Sequence, residues 1–266
     1  MTRTAFITGG SSGIGLATAK ALAERHPEIR LALFARNPDR LSAAVAGLRL
    51  AAPKADVRAF PVDLADLDSA QVVIDTALQA FGPPDLLILS AGMTLPARWE
   101  NVGMTAYRAV MEVNFFACLS TLGQLAPRMV RGSSIGVIGS AASLSGTYGY
   151  AAYTASKCAL HGLSETLRIE LQPRGINFTL CLPPDTDTPM LSAEQPLRPA
   201  VTRRMAAGAR VLPPERVAKD LLRGIERGRF LVLPGWPIKL LYLFGPWIAP
   251  LLRRHQASLI RRLGQD

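Results

Sequence analysis

The chain reads as an α/β protein built on a doubly wound parallel sheet of seven strands, with helices on both faces. Two observations predict it. Short apolar runs alternate with helix-periodic stretches along most of the 266 residues, and the first apolar run ends in a glycine cluster that opens the first helical stretch. The expected strands are residues 4–8, 31–34, 57–61, 86–90, 135–139, 178–182 and 230–233. They are near-continuous apolar runs rather than alternating ones, as strands buried on both faces require. The first three expected helices are residues 16–25, 38–50 and 65–81, each with a 3.6-residue apolar period. Two regions depart from the alternation. Residues 183–210, after the sixth strand, are rich in Pro, Thr and Arg and fall at the carboxyl edge of the sheet, where this architecture binds ligands. Residues 236–266 form a tail beyond the last strand. The expected division is therefore a catalytic body over residues 1–235 and a separate tail over 236–266.

Composition narrows the chemistry. Hydrophobic residues make up 49% of the chain, enough for a sizeable core and too much for a disordered one. The three cysteines (Cys118, Cys158 and Cys181) form no even disulfide set and no zinc pattern, and the expected strand at residues 4–8 leaves no room for a leader. A reducing, cytoplasmic setting is expected. The histidines (His26, His161 and His255) stand at no ligand spacing, so no metal is expected. The net charge of +10 is unevenly placed. Residues 1–194 hold 16 basic and 16 acidic residues, whereas residues 195–266 hold 14 and 4. Arg supplies 25 of the 30 basic residues, as a GC-rich, bacterial coding bias would produce.

The glycine cluster is Thr8-Gly9-Gly10-Ser11-Ser12-Gly13-Ile14-Gly15. Joining a strand to a helix, it suits a dinucleotide pyrophosphate, with the backbone of Gly9, Ser11, Ser12, Gly13, Ile14 and Gly15 close to the phosphates at a helix N-terminus. The fold is thus Rossmann-like. No carboxylate stands at the end of the second strand, where a ribose 2′-hydroxyl would be read. Arg36 and Arg40 stand there instead, and guanidinium groups favour a 2′-phosphate, hence NADPH over NADH.

A second cluster carries acid–base chemistry. Tyr153 and Lys157 are four residues apart, one turn of one helix face, where an ammonium would lower the tyrosine pKa. Ser140 follows the fifth strand and so sits at the same sheet edge as the glycine loop.

These residues resemble the short-chain dehydrogenase/reductase family: TGxxxGxG at Thr8, Gly9, Gly13 and Gly15, a serine 13 residues before the tyrosine, and YxxxK. The resemblance covers roughly residues 4–235. It implies a catalytic set of Asn114, Ser140, Tyr153 and Lys157, with Asn114 positioning a water for proton resupply. It implies cofactor contacts from Asp63 and Leu64, from Ser90, Ala91 and Gly92, from Tyr153 and Lys157, and from Pro183, Thr186 and Thr188. It also implies a homo-oligomer. Two positions depart from the family pattern: Ser90 stands for the Asn of an Asn-Ala-Gly motif, and Pro184 for the Gly of a Pro-Gly pair.

The loop Pro183-Pro184-Asp185-Thr186-Asp187-Thr188-Pro189 resembles, more narrowly, a signature of the 3-ketodihydrosphingosine reductases. That resemblance implies reduction of a long-chain sphingoid ketone by NADPH. Ser140 and Tyr153 would meet the carbonyl, and Asp185 or Asp187 would pair with the substrate ammonium. The alternative substrates are other lipid ketones: 3-oxoacyl, steroid or retinoid. Residues 236–252 are apolar and interrupted by Pro237, Lys239, Pro246 and Pro250, with Arg253 and Arg254 following. At 17 residues the run is short for a spanning helix, and its Trp and Arg residues suit a membrane interface on the cytoplasmic face. Its apolar character points to lipid rather than nucleic acid.

Overall fold

The structure, a computed structural model, describes residues 3–208 and 210–263. Position 209 of the expected loop and residues 264–266 of the expected tail lie outside the described residues. Seven strands form one parallel sheet: β1 (Thr4–Thr8), β2 (Arg30–Ala35), β3 (Asp56–Pro61), β4 (Leu86–Leu89), β5 (Ser134–Ile138), β6 (Asn177–Cys181) and β7 (Leu231–Val232). Their spatial order is β3-β2-β1-β4-β5-β6-β7. The strands lie within a residue of the expected bounds, except that β7 is two residues long.

The pleat splits the core in two. Phe6, Ala32, Phe34, Leu87 and Leu89 point to one face, and Ala5, Ile7, Leu31, Leu33, Leu86 and Ile88 to the other. The first face packs on α3 (Leu67–Phe81) and on the helices that follow β4 and β5. The second packs on α1 (Gly13–Arg25) and α2 (Pro38–Ala51). The two-sided burial explains why the strands read as continuous apolar runs. Helix starts follow local chemistry: Asn37 Oδ1 accepts from the Arg40 amide at 2.8 Å, and Asp66 Oδ1 accepts from the Ser69 amide at 3.2 Å.

After β4 the chain forms α4 (Met104–Met111), one π-helical turn (Glu112–Phe116) and α5 (Ala117–Leu125) without interruption. The stretch Met104–Arg128 is long and apolar enough to cross a membrane. It instead carries part of the sheet core through Ala117, Leu122 and Leu125. Following β5, α6 (Ala151–Leu171) lies beside it. Four more helices follow among the described residues: α7 (Pro189–Glu194), α8 (Ala200–Ala206), α9 (Pro214–Glu226) and α10 (Trp236–Leu263). Helix α9 packs its buried Val217, Leu221, Leu222 and Ile225 on the second face.

The tail differs from the expectation of a separate segment. Helix α10 has 28 residues and kinks at Phe244, whose φ of −115° and ψ of 15° leave the helical region. It docks back on the body. Gln256 accepts from the Tyr148 amide at 3.2 Å and donates to the Gly146 carbonyl at 3.1 Å, while Ile238 and Leu259 are buried. Helix α10 thus packs against the body over part of its length.

Candidate active site

The chain reverses its strand order between β1 and β4, and the carboxyl ends of the strands open there into a cleft of about 770 Å³. One end is lined by Arg36, Arg40 and Asp63, the middle by the glycine loop and Ser90–Gly92, and the far end by Ser140, Tyr153, Lys157 and the loop after β6.

The glycine loop is built by close approach. Gly9 and Gly13 take positive φ of 66° and 53°. A Cβ on Gly9 would stand 2.8 Å from the Ser90 carbonyl carbon, and a Cβ on Gly15 would stand 2.3 Å from the Gly9 carbonyl oxygen. Gly9, Ser11, Ser12, Gly13 and Ile14 line the cleft. Gly15 does not; it lies under the loop and lets helix α1 begin there. Helix α1 has no acidic residue in its first turn, so its positive end faces the cleft uncompensated. The Thr8 hydroxyl oxygen accepts from the Ser90 and Ala91 amides at 3.0 and 3.2 Å and ties β1 to the end of β4. That contact uses the main chain of Ser90, so it does not depend on the side chain that departs from the family motif.

Arg36 and Arg40 line the same end as Asp63 and Leu64. Arg36 Nη1 stands 3.9 Å from Asp63 Oδ2, with both side chains about half exposed, so the guanidinium is only loosely held. Asp63 Oδ1 also accepts from the Ala65 amide at 3.1 Å.

At the far end, Ser140 begins a short 3₁₀ turn after β5 and its Oγ accepts from the Ala142 amide at 3.1 Å. Tyr153 and Lys157 lie in the first turns of α6. Lys157 Nζ stands 5.7 Å from the Tyr153 ring centroid and donates to the Ile138 carbonyl at 3.1 Å. Burial pushes the Lys157 ammonium down to about 8. Burial also pushes the Tyr153 phenol up to about 12, opposed by a hydrogen bond with Ser140 and reinforced by the charges of Glu194 and Asp185. The expected lowering by Lys157 is thus not what sets the phenol. Burial is the main cause of its shift, and Lys157 Nζ is turned toward the Ile138 carbonyl.

Asn114 is 1% exposed in the π turn. Its Nδ2 donates to the Met93 carbonyl and to Ser156 Oγ, both at 2.9 Å, and its Oδ1 accepts from the Met93 amide at 2.7 Å. Both amide protons are committed. The side chain ties the segment after β4 to helix α6. It lines a small void beside the main cleft rather than the cleft itself.

The loop after β6 closes the substrate side. Pro183, Asp185, Thr186 and Thr188 line the cleft. Thr186 is buried with its hydroxyl on the Pro184 carbonyl at 2.9 Å, and Thr188 caps α7. Asp187 is exposed and does not line the cleft, because a bridge of Thr186 with Leu212 holds the strand-like segment with Asp187 on the outer side. Asp185 Oδ2 pairs with Arg198 Nη2 at 2.8 Å. Arg198 also meets Glu194, and its Nε donates to the Tyr150 hydroxyl at 2.7 Å. Sequence reasoning missed Tyr150, Glu194 and Arg198; the only trace was an opposite charge pair four residues apart across Pro196. It also missed Leu241, Leu252 and Gln256, through which helix α10 reaches the cleft.

The donor set fits a nicotinamide dinucleotide: a glycine cradle with no room for a Cβ, a free helix N-terminus, guanidinium groups at one end and a Tyr–Lys–Ser cluster at the other. Together the fold and this site define a short-chain dehydrogenase/reductase. The chain belongs to that family; the model of the family, described as short chain dehydrogenase, matches residues 3–198. It is an oxidoreductase. Among its relatives, the 3-ketodihydrosphingosine reductase of Bos taurus is 33% identical, over 84% of this chain and 68% of that one. The 3-dehydrosphinganine reductase TSC10B of Arabidopsis thaliana is 36% identical, over 86% and 69%. Among solved structures, a short-chain dehydrogenase from Sphingobium yanoikuyae in complex with NADPH is 26% identical with a TM-score of 0.78, covering 95% of each chain. A short-chain dehydrogenase/reductase from Burkholderia phymatum in complex with NAD is 25% identical with a TM-score of 0.79, covering 100% of this chain and 96% of that one.

Proposed function

We propose that the chain uses NADPH to reduce the 3-keto group of 3-ketosphinganine, giving sphinganine. The observation that carries the reading is the apolar part of the cleft lining. Leu197, Met205, Leu241 and Leu252 line the same cleft as Tyr153, apolar surface suited to a long alkyl chain. The names of the relatives and the loop Pro183–Pro189 support the same substrate.

The glycine loop from Gly9 to Ile14 would hold the pyrophosphate, Asp63 and Leu64 the adenine, and Arg36 with Arg40 a 2′-phosphate. Ser90, Ala91 and Gly92, with Pro183, Thr186 and Thr188, would flank the nicotinamide half, and Lys157 the ribose beside it. The bound cofactor supplies a hydride to the keto carbon. Tyr153 donates its phenolic proton to the carbonyl oxygen. A developing alkoxide is the stronger base, so a phenol near 12 still gives its proton while staying protonated at neutral pH. Ser140 hydrogen-bonds the same oxygen, and Lys157 stabilises the phenolate left behind. Asn114 keeps α6 and the Met93 segment in register.

The same reading places the enzyme on a membrane surface. Helix α10 turns Leu241 and Leu252 to the cleft while Trp236 and Trp247 stay 71% and 73% exposed. The test is consumption of NADPH with a panel of long-chain ketones, with the product identified. Faster turnover of a 3-oxoacyl, steroid or retinoid ketone than of 3-ketosphinganine would replace the substrate assignment.

A further inference from the structure

We infer that Glu194, acting through Arg198 and Asp185, makes the substrate end of the cleft selective for ketones that carry a cationic amine beside the carbonyl. The inference rests on the ketone reductase reading above and adds a residue that sets specificity.

Four side chains from three segments meet at this end. Tyr150 stands at the start of α6, Asp185 on the loop after β6, Glu194 at the end of α7, and Arg198 four residues on. Tyr150 donates its hydroxyl proton to Glu194 Oε1 at 2.8 Å and accepts from Arg198 Nε at 2.7 Å. Arg198 Nε stands 3.2 Å from Glu194 Oε1, and Nη2 stands 2.8 Å from Asp185 Oδ2. All four line the cleft, and the Tyr150 ring centroid is 6.0 Å from that of Tyr153.

The charges do not balance. Arg198 is held firmly protonated by its two carboxylates, and burial beside Glu194 keeps the Tyr150 phenol neutral. Two carboxylates face one guanidinium, which leaves a net charge of −1. Glu194 and Arg198 are each only 7% exposed, so water screens this charge poorly. Its field reaches the reacting group, since both carboxylates push the Tyr153 phenol upward. Among the described residues none of the other cleft-lining cations pairs with Asp185 or Glu194: Lys157 donates to the Ile138 carbonyl, Arg36 stands beside Asp63, and Arg40 and Arg210 are exposed.

The two carboxylates divide the work. Asp185 is the more exposed; one of its oxygens meets Arg198 and the other has no side-chain partner among the described residues, so it is the contact. Glu194 is more buried and its Oε1 is already held by Tyr150 and Arg198. Without it, Arg198 would neutralise Asp185 and the cleft would offer an ammonium nothing. Glu194 is therefore a positioning residue that sets the charge of its neighbour's environment.

The competing account is mechanical: the network bolts the loop to α6. One measurement separates the two. The full-length enzyme is assayed with a long-chain 2-amino 3-ketone and with the neutral 2-hydroxy 3-ketone of the same length. The wild type is expected to favour the amine in kcat/KM by at least about tenfold, as a charge-assisted contact gives. Glu194→Gln and Asp185→Asn keep the shape and remove one charge each, and each is expected to lower that ratio about tenfold. A bolt would change both substrates together and leave the ratio alone, and that result overturns the inference. A wild-type ratio near one also overturns it while leaving the reductase reading intact. Failure to reduce either ketone removes both. If one variant does not fold, the other and the wild-type ratio decide.

Discussion

Lys157 donates from Nζ to the carbonyl oxygen of Ile138 at 3.1 Å, and this contact fixes the ammonium at the end of β5, one helical turn from Tyr153. It has a consequence for pH. Burial lowers Lys157 to about 8 and raises Tyr153 to about 12. For reduction, the phenol must hold its proton and the lysine its charge. Tyr153 stays protonated across the working range, so Lys157 sets the limit. The kcat/KM for a neutral ketone is expected to be level at lower pH and to fall as pH rises through about 8. A profile level to pH 10 would show that the lysine charge is not required.

Tyr153→Phe removes the donor and little else, because the ring stays in place. Turnover is expected to fall by about 10²–10⁴-fold, the usual value of a positioned general acid. Titration with NADPH should give an affinity close to that of the wild type. Near-normal turnover would assign the proton to another group.

Arg36 pairs only loosely with Asp63, so it is available to a 2′-phosphate. A charge-assisted contact there contributes about 1.5–3 kcal/mol, or about ten- to a hundredfold in favour of NADPH. Arg36→Asp should reverse the order, because a carboxylate repels the phosphate and accepts from a ribose hydroxyl. Equal use of NADH and NADPH by the wild type would contradict this role for Arg36 and Arg40.

The helices beside the site leave apolar side chains uncovered: Phe116 and Leu119 on the central helix, and Ile169 on α6. The family resemblance points to a homo-oligomer through these helices. Light scattering at micromolar concentration should show at least a dimer, and Leu119→Glu should shift it toward monomer. A wild-type monomer at that concentration would remove this expectation.

Much of the fold is legible because strands buried on both faces leave no polar alternation to confuse their bounds. The glycine loop, Ser140, Tyr153 and Lys157 are legible because local spacing alone puts them at one sheet edge. What sequence could not give depends on long-range closure. Tyr150 meets Glu194 and Arg198 only once the loop after β6 folds over α6, 44 and 48 residues away in the chain. Asp185 and Asp187 look equivalent in sequence, and only the bridge of Thr186 with Leu212 sends one inward and the other out. The tail reads as broken by proline, yet the kink at Phe244 puts Pro246 in the first turn of a new helical segment, where its missing N–H costs nothing.

Helix α10 has a cleft-lining side and an exposed apolar side, and a separate pair of substitutions tests each. Leu241 and Leu252 line the cleft, whereas Trp236, Leu243, Trp247 and Leu251 are exposed, with Lys239, Arg253, Arg254, Arg261 and Arg262 on the same helix. Each basic residue near an anionic bilayer contributes about 1 kcal/mol, which salt screens, while inserted aromatic rings add binding that salt does not. Full-length protein is therefore expected to bind anionic vesicles and to weaken, without release, at high salt. Trp236→Ser with Trp247→Ser should remove most of that binding and leave KM for a short soluble ketone unchanged. Leu241→Ala with Leu252→Ala should instead raise KM for the long-chain ketone several-fold and leave vesicle binding in place. The two effects must separate. If the tryptophan pair alters KM as the leucine pair does, or if wild type ignores anionic vesicles at low salt, α10 is a wall of the cleft alone and the membrane role falls.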